Sequence, residues 1–324
     1  MEKILFLAQF APTNGKFIIP QTSEEEFYAN TYHLKIYEVL KNGGYDFYST
    51  NDVSYLLENH HKFDLVWSVY NRINFRNSEI FVQSLCEYFG VQYIGAAPNI
   101  RALVEDKSMS KQLAEHLGIT TAPWVVASKD YPPCQRSPFQ GPYFVKPRFG
   151  SASIGINESC ICENWGDAIV KTNEYFSNNT EVIIEKYIDG VYYGVPIINT
   201  KEKMALIGTP HSQTSNKKGN VITYAQKRFA ESGMNRVIGC DDSLQKILMH
   251  LSELYFTEMQ PCDYARIDYI VEKRTGILYF LEVNVLMNLG IKGGFISSFL
   301  SSGFHSYDDI IKHIIELGLS RVRQ

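Results

Sequence analysis

Long hydrophobic runs are missing from this sequence. No segment reaches the about 18 uninterrupted apolar residues that suit a membrane-spanning helix. The apolar start, Met1 to Phe10, is too short for a signal peptide and is interrupted at Gln9. It reads as a buried first strand, with a cytoplasmic location and no membrane partner as the default expectation. An excess of basic charge is missing as well: 31 Lys and Arg stand against 35 Asp and Glu, a formal net charge of −4. Without clustered cations, nucleic acid is not expected as a partner. The six cysteines (Cys86, Cys134, Cys160, Cys162, Cys240, Cys262) are scattered; only Cys160 and Cys162 lie close, with no second pair at zinc spacing. Structural or surface thiols are the simpler reading, a metal or redox site the other. There is no obvious repeat and no low-complexity tract. Neither G-x-x-x-x-G-K-S/T nor G-x-G-x-x-G occurs.

What is present is an ordinary globular balance, 45% hydrophobic and 20% charged over 324 residues. That length suits two or three lobes. The first hundred residues alternate strand and helix signals: Ile4 to Ala8, a helical stretch Ser23 to Leu40 stopped by Gly43-Gly44, Asp64 to Val69, helical Ser78 to Phe89, then Val91 to Ile94. This pattern predicts a small parallel sheet covered by helices. Asp106 opens a short helix with Met109, Leu113 and Leu117 as its apolar repeat and Gly118 as its stop. The remainder is richer in strands, with candidates at 143–146, 182–188, 193–199, 204–208, 265–272 and 277–284. Ser212 to Asn220 is polar and reads as a mobile loop, and together with Gly293 to Gly303 it leaves room for an open cleft. Helices are expected at 165–176, 242–257 and 307–317.

Ala265 to Asn284 carries the most chemistry. Two apolar strands flank a turn at Lys273–Gly276. A hairpin centred there pairs Asp268 with Glu282 and Arg266 with Asn284. Side chains alternate with a period of two, so these four share one face. Ile267, Tyr269, Val271, Leu281 and Val283 form the core face. Two facing carboxylates repel, and a divalent cation such as Mg²⁺ relieves this, with Asn284 adding a neutral oxygen. Arg266 supplies fixed positive charge for a phosphate or a developing oxyanion. The alternative is a solvated hairpin in which Arg266 and Asp268 form a local ion pair.

Tyr143 to Ile156 (YFVKPRFGSASIGI) runs a strand into Lys146 and then a Gly/Ser loop able to cradle phosphate, although such a loop also serves as a plain turn. Val182 to Gly190 (VIIEKYIDG) offers backbone groups to an adenine edge, or is an ordinary strand end. The order of these features is informative. Lys107, Lys146, the Gly/Ser loop, EKYI, R-x-D and E-x-N follow the pattern of the ATP-grasp superfamily, and the chain resembles D-alanine–D-alanine ligases from about Lys62 to Asn284. The segments that carry the resemblance are Gly95 to Trp124, FVKPRFGSASIGI, EKYIDG, RIDY, LEVN and TYAQK (Thr223 to Lys227).

The resemblance implies an ATP-grasp fold, α/β then α+β: a Rossmann-like parallel-sheet domain at 1–104, a central lobe at 105–190 and a C-terminal lobe at 191–324, the two lobes gripping ATP. It implies that Lys107 and Lys146 contact phosphates and that Glu185, Lys186, Tyr187 and Ile188 form the adenine hinge. Ser151 and Ser153 would sit in a loop closing over the phosphates, with Lys227 helping to hold them. Asp268, Glu282 and Asn284 would hold two Mg²⁺ (or Mn²⁺) ions, and Arg266 would face the acyl phosphate. Small carboxylate and amine substrates follow, with a homodimer, and a peptide or carrier-protein acceptor as a further option.

The departures fall at substrate contacts. Tyr192 stands where the family has a ribose-binding Glu. Tyr70 to Asn74 replaces the HG-x-x-GEDG segment, and only Glu24, Glu25 or Glu26 represents the acidic motif for the first amine. Arg228 follows the ω-loop lysine, Asn288 replaces the oxyanion-hole glycine, and Arg72, Arg228 and Lys292 add cations. The expectation is therefore a ligase acting on substrates other than the D-alanine pair. A true D-alanine–D-alanine ligase and a non-catalytic ATP-binding protein are the alternatives.

Overall fold

The computed structural model describes residues 2–13, 32–70, 78–150, 153, 155–200, 202, 204–223, 226 and 233–323. The expected acidic motif at 24–26 and the segment 71–74 lie outside these residues, as do Ser151, Lys227 and Arg228.

The first part alternates β1 (Lys3–Leu7), α1 (Leu34–Asn42), β2 (Asp46–Thr50), α2 (Ser54–Asn59), β3 (Leu65–Ser68), α3 (Phe81–Phe89) and β4 (Gln92–Ile94). Its strands pair in parallel in the order β2-β1-β3-β4. Ile4, Leu5, Phe6 and Leu7 are all fully buried, which fits a parallel strand covered on both faces. Helix α3 ends where Gly90 takes φ +69°, the left-handed conformation that glycine adopts without strain.

Next come α4 (Pro98–Glu105), α5 (Lys107–His116), β5 (Trp124–Ala127), β6 (Tyr143–Pro147), β7 (Ile161–Cys162), α6 (Trp165–Ser177) and β8 (Val182–Lys186). They include a four-stranded antiparallel sheet, β5-β8-β6-β7, with α6 on one face. The rest supplies β9 (Gly190–Ile198), β10 (Leu206–Ile207), β11 (His211–Ser215), β12 (Met234–Ile238), α7 (Asp242–Glu258), β13 (Tyr264–Glu272), β14 (Leu278–Asn284), α8 (Gly294–Ser301) and α9 (Tyr307–Val322). The sheet here runs β12-β11-β9-β13-β14, with β10 on β9. Its rear face packs Val195, Ile197, Ile267, Tyr269 and Phe280 against Leu248, Tyr255 and Phe256 of α7.

The chain returns on itself at the end. Ile310, Ile311, Ile314 and Ile315 of α9 share a core with Ile4, Phe6 and Trp67 of the first sheet. Asp263, at the foot of β13, fixes this joint: it takes both Arg321 guanidinium nitrogens at 2.6 and 2.8 Å and the Gly95 N–H at 2.8 Å.

Two expectations are corrected. Ser212 to Asn220 is not a loop throughout. Residues 211–215 form a strand paired with both β9 and β12, because backbone pairing tolerates polar side chains that face a cleft. Residues 294–301, given no element in the sequence reading, are helical and bury Phe295, Ile296 and Phe299. Leu281 leaves the core face. The β13–β14 register slips between Asp268 and Tyr269, so Tyr269 pairs with Phe280, which takes the buried place.

Candidate active site

The floor of the cleft is one face of the six-stranded sheet. The observed register pairs Arg266 with Asn284 and Asp268 with Glu282, as the alternation of the hairpin predicts. Across β9 and β11 the same face carries Gly194 and His211 beside Asp268, and Tyr192, Gln213 and Arg236 in line with Ile270. Arg266 grips Asp268 through Nε and Nη2, both at 2.6 Å, and the Asn284 amide donates to Asp268 at 2.9 Å. Burial alone would lower the Arg266 pKa, but the Asp268 carboxylate outweighs it and raises the value, so the guanidinium stays charged. A Cβ on Gly194 would stand 3.0 Å from Arg266 Cδ and 2.7 Å from the His211 ring, so glycine permits these side chains to converge.

The roof is the four-stranded sheet. Lys146 on β6 and Glu185 on β8 meet at 2.9 Å, and Lys111 from α5 lies 3.1 Å from the other Glu185 oxygen, an ion contact outside hydrogen-bond geometry. All three side chains are buried. Burial would raise the Glu185 pKa, yet the two ammonium groups overcome it and hold the carboxyl below its usual value. The Lys111 pKa is lowered by burial, with Glu185 opposing.

Lys107 begins α5, which Asp106 caps by accepting from the Ser108 N–H. Arg148 clamps Asp106 with bonds of 2.7–3.1 Å, the Lys107 N–H reaches Arg148 O at 3.1 Å, and Lys107 Nζ donates to Gly150 O at 2.5 Å. These contacts fasten the lysine to the Gly/Ser loop, where Gly150 has φ +90° and Ser153 holds the unusual φ of 60°. The Lys107 pKa is lowered by burial, against which Glu282 raises it, so the floor carboxylate faces the roof cation.

Between roof and floor lies a void of about 940 Å³, counting its open mouth. Phe144, Ile188, Tyr192, Ile222, Ile270 and Tyr279 give it apolar walls, while Lys146, Arg266, Asp268 and Glu282 give it charge. At the hinge, the Lys186 and Tyr187 N–H groups are spent on Pro123 O and Pro142 O, both at 2.8 Å, and Tyr187 Oη bonds Gly219 O. The Glu185 carboxylate faces the two lysines. What the hinge can offer a planar ring is therefore its carbonyls and the Ile188 end. The Tyr192 hydroxyl pKa is pushed up by burial, then by Tyr187, Glu185 and Glu282.

The donor set fits a hard divalent cation: two opposed carboxylates and an amide on one sheet face, with no cluster of three His, Cys, Asp or Glu among the described residues. Such a site is completed by phosphate and water oxygens.

Four site residues escaped the sequence reading. Lys111 did because the apolar repeat put Met109 inside α5, whereas Met109 is 45% exposed and Lys111 is 0% exposed. Glu105 lines a side cavity with Glu79, Lys107, Gly150, Glu282 and Asn284. His211 and Arg236 lay in stretches without apolar patterning. Asn288 turns its side chain to the Gly290 N–H at 2.6 Å and so shapes the loop before α8.

The family described as D-ala D-ala ligase C-terminus matches residues 109–316. A D-alanine–D-alanine ligase of Clostridium perfringens is 30% identical over 251 residues, 75% of this chain and 77% of its own. One of Clostridium botulinum is 28% identical over 243 residues, 74% and 76% of the two chains. The D-alanine–D-alanine ligase of Bacillus anthracis, solved with ATP, superposes with a TM-score of 0.75 at 21% identity, covering 100% of this chain and 99% of that one. The VanG D-Ala:D-Ser ligase of Enterococcus faecalis gives 0.69 at 16% identity, covering 98% and 99%. Among the described residues no helix is long and apolar enough to cross a membrane. The chain belongs to the D-alanine–D-alanine ligase family and has its ATP-grasp fold.

Proposed function

We propose that this protein is an ADP-forming, Mg²⁺-dependent ligase that joins a small amino-acid-like carboxylate to an amine through an acyl phosphate. The observation that carries this reading is the opposition of buried Lys146 to Arg266, Asp268 and Glu282 across the main cleft, with buried Lys107 beside Glu282 in the adjoining cavity. ATP lies with its base between the hinge at 185–188 and Tyr192. Lys107 and Lys146 offset phosphate charge, assisted by Lys227 and by Ser151 and Ser153 of the Gly/Ser loop. Asp268, Glu282 and Asn284 would hold Mg²⁺, which when bound would neutralise charge on the phosphate oxygens. The donor carboxylate attacks the γ-phosphorus and ADP leaves. The amine then adds to the acyl carbon, Arg266 stabilises the oxyanion, and phosphate departs with one proton released.

A second reading, synthesis of D-alanyl-D-alanine itself, is favoured by the names of the relatives, which also favour a small acceptor over a peptide or carrier protein. The altered stretch after Asn284, with Asn288 committed to the loop, favours a different pair. The test is ADP release from ATP and Mg²⁺ with single and paired D- and L-amino acids, with and without EDTA. Release that needs one particular pair and stops with EDTA supports the ligase. D-alanine alone sustaining full turnover selects the second reading. ATP binding without release under any pair overturns both.

A further inference from the structure

Arg236 stands on the cleft face of β12, level with Gln213 and Tyr192. Its Nη1 donates to Lys292 O at 2.8 Å, in the loop that leads from β14 to α8. Its Nε is buried without a hydrogen-bond partner, and no carboxylate lies within ion-pair distance of it among the described residues. Burial lowers its pKa, and the like charge of Arg266 adds to that. A partly desolvated guanidinium beside a second guanidinium is unfavourable unless an anion joins it.

The surroundings repeat the same message. His211 is 0% exposed, its Nδ1 lies 3.0 Å from Ser298 Oγ, and its Nε2 is buried without a partner. Burial, then Arg266 and Arg236, pushes its pKa down to about 2, so the ring is neutral and Nε2 can donate when Ser298 donates to Nδ1. A Cβ on Gly294 would sit 2.3 Å from Nε2, so the ring lies directly beneath the start of α8. That helix has glycine at its N-cap and no side-chain cap, which leaves its first N–H groups and positive dipole end open. Lys292 is exposed beside it. Asp268 is engaged by Arg266, accepting from its Nε and Nη2.

We propose that Arg236, with Lys292 and the open start of α8, selects an amine acceptor carrying two carboxylates, that is, an acidic amino acid. One carboxylate meets the helix N–H groups and His211, and the second meets Arg236. This rests on the ligase reading and names the substrate class of its acceptor end.

The test measures ADP release by the full chain with ATP, Mg²⁺ and a panel of amino-acid donors. Aspartate and glutamate are compared, in both configurations, with the isosteric asparagine and glutamine as acceptors. The acids are expected to be preferred by roughly tenfold or more in kcat/KM. Arg236→Met should raise KM for the acid and collapse the preference, and Arg236→Lys should keep part of it. Equal use of acid and amide by the wild type overturns the proposal, as does an Arg236→Met variant that loses both alike. The same acceptors are also titrated in a thermal-unfolding assay. Stabilisation of the wild type, but not of Arg236→Met, by aspartate and not by asparagine supports the site even if no pair releases ADP, in which case the ligase reading alone falls. No acid-selective effect in either assay overturns the site.

Discussion

Two charged clusters face each other across the cleft, and they are built in opposite ways. On the roof, Lys111 and Lys146 share one carboxylate, Glu185, and all three are buried to within a few per cent of their surface. On the floor, Arg266 grips Asp268, while Glu282 acts on the guanidinium through its charge, and the Arg266–Asp268 pair keeps 14–17% of its side-chain surface. The roof has surplus positive charge sealed in low dielectric, where removing one partner is costly. The floor has surplus negative charge at an accessible edge, where a cation can enter. The roof cluster thus belongs to the stability of the fold as much as to its chemistry, while the floor cluster carries mainly chemistry.

The largest expected effect tests the floor. Glu282→Gln keeps the shape and removes one charge. Turnover should fall by about 10³-fold, the scale on which transition-state electrostatics acts. The melting temperature should move by no more than about 3 °C. ADP release and a thermal melt together check this. Activity near that of the wild type would remove the metal assignment and, with it, the contrast between the clusters.

The roof should respond the other way. Glu185→Ala strands two buried ammonium groups and should lower the unfolding free energy by about 3–5 kcal/mol, read from a denaturant midpoint. The linkage has a definite sign. The folded pKa of Glu185 lies below its usual 4.5, so its stabilisation is present above that pH and is lost as pH falls through the lower folded value. The variant should lack this part of the acid limb. A Glu185→Ala protein as stable as the wild type would show that the lysines find other partners, and the roof would then resemble the floor.

How much of this was legible in the sequence follows the same division. The floor was readable because a hairpin with alternating side chains has one register once its turn is located, and Arg266, Asp268, Glu282 and Asn284 fall into place from Gly276 alone. The bulge after Asp268, which turns Leu281 out and Phe280 in, has no signature in hydrophobicity. The roof was half readable. Lys146 ends an apolar strand, but Lys111 looks like any solvated helical lysine, and only its tertiary partner Glu185 makes burial tolerable. β11 was missed because its outward polarity reflects the cleft it lines, and α8 was given no element, although Gly294 at its start lies in close approach to His211. Periodicity records which residues meet the core and is silent on polar groups that meet each other.

The smallest expected effect probes a residue between the two clusters. Glu105 accepts a hydrogen bond from the Glu79 backbone, while its Oε2 is buried without a partner. Burial, and then the charge of Glu79, raises its pKa to about 7, with Lys107 opposing. For a carboxyl whose folded pKa exceeds its unfolded 4.5, stability is complete below 4.5 and declines as pH rises to about 7. Glu105→Gln mimics the neutral form, so it should gain on the wild type as pH rises through this window. Glu105 is partly exposed, so solvent screening limits the gain at pH 8 to about 1 kcal/mol or less. Below pH 4.5 the two proteins should respond alike to pH. Denaturant midpoints at pH 4.5 and pH 8 measure the difference. A gain of equal size at both pH values would mean that packing rather than charge sets it, and that burial and the Glu79 charge do not act on the Glu105 carboxylate.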